Sequence, residues 1–108
     1  HEIVMLLIKR QDFDKVPIAS RKIFRLKFPG DKEHLLVREG QILADALIHH
    51  GQHELARRVL DQALTSVRSN LSKAHLYKEI AYLCTKEGRD EEAMEHFEKA
   101  VELENSVP

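Results

Sequence analysis

The chain has 108 residues, 43% of them apolar, with 17 Lys+Arg against 18 Asp+Glu and a single cysteine. That length and apolar content suit one small domain with a real core and exclude wholesale disorder. One cysteine excludes a disulfide framework and any Cys-rich zinc module, and a net charge of −1 gives no general attraction for nucleic acid or anionic membrane.

Helical periodicity runs through nearly the whole chain. The apolar run Ile3–Ile8 opens a first helix at about 2–10. It is far shorter than the roughly 20 residues that cross a bilayer, and it lacks the basic lead-in and cleavage site of a secretory signal. A second helix, at 14–27, begins near Asp14 with Pro17 close to its start, where a missing N–H does little harm. Pro29-Gly30-Asp31 stops it and offers Asp31 as the N-cap of a third helix at 32–50. There Leu35, Leu36, Ile42, Leu43, Ala46 and Leu47 form one apolar stripe. Gly51 supplies a C-terminal cap, and a fourth helix at 53–68 carries Leu55, Ala56, Val59, Leu60, Ala63, Leu64 and Val67. Ser72 is the cap expected for a fifth helix at 73–87, with Ile80, Ala81, Leu83 and Cys84 on its stripe. Gly88 ends it, and Asp90-Glu91-Glu92 place carboxylates where the dipole of a sixth helix, at 90–104, favours them. That helix carries Ala93, Met94, Phe97, Ala100, Val101 and Leu103. No β-branched run alternates with polar residues, so the fold class is all-α. The short joins predict three antiparallel hairpins.

The hairpins repeat. An offset of 37 lays Gly51 on Gly88, Ala56 on Ala93, Leu60 on Phe97 and Ala63 on Ala100, and continues back through Leu43/Ile80, Ala44/Ala81 and Leu47/Cys84. Phe13, Val16, Ile23 and Pro29 form a fainter copy at the front. A period of this size means stacked hairpins, none of which buries its apolar face alone. Small Ala56 and Ala93 sit where the second helix crosses the first closely, while Leu60 and Phe97 fill the space one turn further on. Gly40 faces the core and costs about 1 kcal/mol against Ala in a helix interior. Either it admits another helix or the domain begins near residue 40.

With Tyr77, Ile80-Ala81, Cys84, Gly88, Ala93, Phe97 and Ala100 at these spacings, the last unit resembles a tetratricopeptide repeat, with Asn105 in place of the closing proline. The middle unit keeps the pattern except at Gly40, where an aromatic is usual, and Arg68, where proline is usual; Ser20 stands where the front copy should carry an aromatic. The resemblance implies one domain over 1–108, made of a degenerate repeat at 1–30 and repeats at 37–70 and 74–107, stacked as a right-handed α-solenoid and forming part of a longer protein. It also implies a protein or peptide partner held in a concave groove built by the first helix of each unit. By position that groove holds Arg38, Gln41, Asp45 and His49, then His75, Lys78, Tyr82 and Thr85. Lys78 matches one position of the clamp that grips chaperone C-termini, but Asp45 and Tyr82 stand where that clamp needs asparagine, which disfavours that partner.

Chemistry is hard to find elsewhere. His49, His50 and His53 cluster, but Gly51 and a helix turn intervene, so a shared metal ion is not expected. Cys84 lies on an apolar stripe and reads as an inert buried thiol, and the acidic pairs Glu91/Glu92 and Glu95/Glu98 lie on a solvent-facing helix. There is no phosphate loop or nucleophile elbow, so neither catalysis nor a cofactor is expected. The unpaired cysteine fits a cytoplasmic setting.

Charge is polarised along the chain. Residues 1–30 carry seven basic and three acidic side chains, 31–73 six of each, and 74–108 four basic and nine acidic. This is either a set of solvated faces or a means for copies to pair through oppositely charged ends, which are also apolar at Ile3–Ile8 and along 93–103. The functional expectation is a protein-interaction module. A regulatory or sensor segment of a larger signalling or transcription protein is one alternative, and a structural assembly element is another.

Overall fold

The computed structural model describes residues 2–26 and 32–106, and every regular element among them is helical. The helices are α1 (Glu2–Lys9), α2 (Val16–Phe24), α3 (Glu33–His49), α4 (His53–Ser66), α5 (Asn70–Lys86) and α6 (Asp90–Asn105), with a 3-10 turn at Phe13–Lys15 leading into α2. Pro17 occupies the first turn of α2. The Pro29-Gly30-Asp31 break lies outside the described residues. One cap differs from expectation. α5 starts earlier than Ser72: the Ser69 hydroxyl accepts from the Ser72 amide at 3.1 Å, and the two hydroxyls bond at 2.8 Å. Ser72 is therefore the third residue of the helix, held by the cap.

The turns inside the three hairpins are built alike. Asp12, Gln52 and Arg89 each donate their amide to the carbonyl five residues back, on Leu7, Leu47 and Cys84, at 2.8–2.9 Å. That closure needs a left-handed residue just before the donor. Gly51 and Gly88 supply it at φ +74° and +76°, and at the first turn Gln11 does so at φ 62°. No atom of the described residues lies within 4 Å of a Cβ built on either glycine, so backbone conformation selects glycine there.

α1 packs on α2 and α3, α2 on α4, α3 on α4 and α5, and α5 on both α4 and α6. The first helices of the hairpins thus stand in one row, with α2 and α4 paired behind them. The stack measures 42 × 36 × 15 Å. Its centre is apolar, with Leu43, Leu47, Leu60, Leu76, Ile80 and Leu83 all buried. Leu35, one of the expected stripe residues, is instead 43% exposed. It precedes the inward Leu36 and cannot share its face.

Small residues set how closely the helices approach. Ala44 and Ala56 are buried in the middle hairpin, Ala81, Ala93 and Ala100 in the last. α3 runs unbroken through Gly40, where an added Cβ would lie 3.1 Å from Ala63 Cβ, 3.7 Å from Leu76 Cδ2 and 3.8 Å from Phe24 Cζ. Gly40 therefore admits α4, and side chains of α2 and α5 close over the place an aromatic ring would take. At the corresponding position Tyr77 instead lies tilted over His96, ring centroids 6.0 Å apart.

The first hairpin docks differently. Ser20 is fully buried and donates to Gln62 Oε1 of α4 at 2.5 Å, while Gln62 Nε2 donates to the Pro17 carbonyl at 3.0 Å. A polar bridge stands where Leu60 and Phe97 use apolar bulk, and each of its groups is paired, as burial requires.

Candidate functional site

Helical spacing puts Arg38, Gln41, Asp45 and His49 on one side of α3, and His75, Lys78, Tyr82 and Thr85 on one side of α5. None of the eight is buried; Gln41 and Lys78 are half-covered and the rest exposed. The opposite side of each helix is the core. Since α3 and α5 touch, the two sets form adjoining strips of one surface.

The strips are not equivalent. Asp45 borders the seam between the helices, close enough to Glu79 of α5 to act on its charge. Burial chiefly, then Asp45, pushes the Glu79 carboxyl up, against an opposing pull from Lys86. The surface thus carries a like-charged carboxylate pair with a lysine beside it. On the far side of α5, Lys78 forms an ion pair with Glu104, and the Tyr82 ring meets Phe97 edge-on at 5.4 Å, both partners belonging to α6. Lys78 and Tyr82 are therefore partly held by their own hairpin. Glu79 and Lys86 belong to this surface too. Sequence spacing passed over them because they sit one residue beyond Lys78 and Thr85, and only the packing of α3 against α5 brings Asp45 to Glu79.

Two polar junctions hold the strips in place. Glu33, in the first turn of α3, accepts from the Arg68 amide at 2.9 Å, the Ser69 amide at 3.1 Å and the Ser69 hydroxyl at 2.9 Å. Burial alone would raise its carboxyl, but bonds from Ser72, Arg68 and Ser69 outweigh this and hold it at about 2. It ties the start of α3 to the α4–α5 join. Arg57 of α4 reaches Glu92 of α6 at 3.2 Å, Asp61 at 3.5 Å and the Cys84 sulfur at 4.0 Å. The hydrogen bond from Arg57 lowers the Glu92 carboxyl, so Glu92 is an inter-hairpin partner and not the unengaged surface acid its sequence position suggests.

Cys84 is buried as expected, and burial pushes its thiol up. Cys84, Glu92 and His96 bring donor atoms within 4.8 Å of one another. The Arg57 guanidinium already serves Glu92 and approaches the sulfur, and His96 Nδ1 is engaged by the Glu92 carbonyl at 2.8 Å. A divalent ion there would face a fixed cation. Farther along, the His49 and His50 rings meet edge-on at 5.7 Å, and His50 leans on Phe13 at 6.1 Å, while His53 begins the next helix. No described helix is long and apolar enough to cross a membrane.

A stack of helix hairpins with its first helices in one row is an α-solenoid. Residues 74–106, the last hairpin, match the family model of the tetratricopeptide repeat. No curated protein and no solved structure matches the chain. Tetratricopeptide repeats generally mediate protein–protein interactions and are typically non-enzymatic scaffolds.

Proposed function

We infer that the protein binds an extended or helical segment of a partner protein along the surface formed by α3 and α5. One observation carries this reading. Two adjoining first helices present Arg38, Asp45, His49, His75, Tyr82 and Thr85 to solvent while their opposite sides are buried. The pairing of exposed Asp45 with half-buried Glu79 favours a segment bearing lysine or arginine at its centre, which would relieve the repulsion between the two carboxylates. The first hairpin, with its matching turn, extends the row as a degenerate repeat. A second mode, pairing of copies through their ends, is supported by the charge polarity of the chain and by exposed Ile3, Leu6, Met94 and Val101.

The test is selection of short peptides from a random display library against the whole chain, followed by NMR mapping of the bound peptide. Amide shifts concentrated on α3 and α5, and at least tenfold weaker binding by Asp45→Ala/His75→Ala, are the expected results. A footprint elsewhere overturns the reading. Asp45→Ala/His75→Ala spares Lys78 and Tyr82, which also brace α6, so lost binding would not reflect a loosened hairpin.

A further inference from the structure

Two outer faces of the stack expose apolar side chains and carry opposite charge. At the first, α1 and α2 enclose a groove of about 450 Å³ lined by Ile3, Val4, Leu7, Ile18, Ile23 and Leu26, with Lys15 and Lys22 on its rim. Ile3 is 72% exposed and Ile18 65%. At the other, Met94, Phe97 and Val101 recur at three and four residues along α6, with Met94 and Val101 exposed. Exposed Glu91, Glu98 and Glu102 follow along the outer flank of that stripe.

We propose that these faces are the two halves of one contact between copies of the chain. The acid-flanked stripe of α6 in one copy seats in the lysine-rimmed groove between α1 and α2 of the next. This rests on the assembly mode above and is independent of the α3–α5 surface. Charge selects the occupant. Either face paired with its own kind across a two-fold axis would set lysines against lysines or glutamates against glutamates, whereas head-to-tail joining matches a +4 segment to a −5 segment. The contact continues between copies the stacking that joins hairpins within one copy. Being heterologous, it builds a series of copies and not a two-fold dimer.

The experiment is sedimentation velocity on the full 108-residue chain, from about 10 to about 300 μM, at roughly 20 mM and roughly 500 mM salt. The wild type should form a ladder of species that lengthens with concentration and retreats in high salt. Lys15→Glu/Lys22→Glu and Glu98→Lys/Glu102→Lys should each remain monomeric where the wild type associates, with unchanged far-ultraviolet dichroism. Mixing the two variants should restore association, because each then meets a face of opposite sign. A wild type that stays monomeric at low salt, association indifferent to both reversals, or no rescue on mixing each overturns the proposal. So does a monomer that binds anionic phosphatidylserine vesicles through Lys15 and Lys22. None of these results touches peptide binding on α3 and α5, so the two readings fail separately.

Discussion

The first and last hairpins share a turn but are held by different forces. α5 and α6 run for 17 and 16 residues and meet along buried Ala81, Ala93 and Ala100. α1 and α2 run for 8 and 9, leave Ile3, Leu6, Ile18 and Leu26 exposed, and engage α4 through Ser20 and Gln62. The family model matches the last hairpin and neither of the other two. What makes the first hairpin a member of the stack is its backbone closure and its neighbour.

The sharpest way to break that comparison is at the point where all three hairpins converge. Gly40→Leu should cost about 3 kcal/mol or more in urea unfolding, because its Cβ already meets the rigid Ala63 methyl. Leu60→Ala, in the same core, should cost a similar amount, about 3 kcal/mol. A smaller effect should separate the end hairpins. Ser20→Ala leaves Gln62 Oε1 without its donor and should cost about 1–2 kcal/mol. With few apolar contacts of their own, α1 and α2 should exchange their amide hydrogens at lower protection than α5 and α6, and Ser20→Ala should widen that gap.

The turns offer a test of opposite sign. Gly88→Ala should destabilise by about 1 kcal/mol, whereas Gln11→Gly should stabilise by about 0.5–1 kcal/mol, since only the second relieves a side chain at positive φ. If Gln11→Gly destabilises, the three turns are not equivalent.

Two carboxyls should respond to pH in opposite directions. Glu33 is held at about 2 against an ordinary 4.5, so the stability it contributes is present above 4.5 and lost as pH falls toward 2. After screening at a partly exposed site this amounts to about 1 kcal/mol, and Glu33→Gln should flatten that limb of the stability–pH curve. Glu79 is raised, so its charged form weighs against folding as pH climbs above the ordinary carboxyl range. Glu79→Gln or Asp45→Asn should therefore stabilise at neutral pH, by about 0.3 kcal/mol, the smallest of these effects.

Much of this architecture was legible in residue order. Helix boundaries came within a few residues of the observed ones because apolar stripes and glycine punctuation are local properties. The small-residue crossings at Ala56 and Ala93 were legible because the 37-residue offset printed them twice. The Ser69 cap was missed because Ser69 and Ser72 are equally good capping residues in sequence, and only the Glu33 bonds to Arg68 and Ser69 choose between them. The Arg57–Glu92 pair was invisible for a plainer reason. Its partners are 35 residues apart on helices of different hairpins, where spacing rules along one helix do not reach.

The order of amino acids by itself decided that this chain is helical and where its helices turn, since periodicity and positive-φ glycines act over one or two turns. Only the tertiary structure decided that Gly40 is a crossing point, that Gln11 stands in for a glycine, and that Asp45 borders Glu79. Those facts depend on how closely helices distant in sequence approach, and that distance is set by all the side chains between them at once.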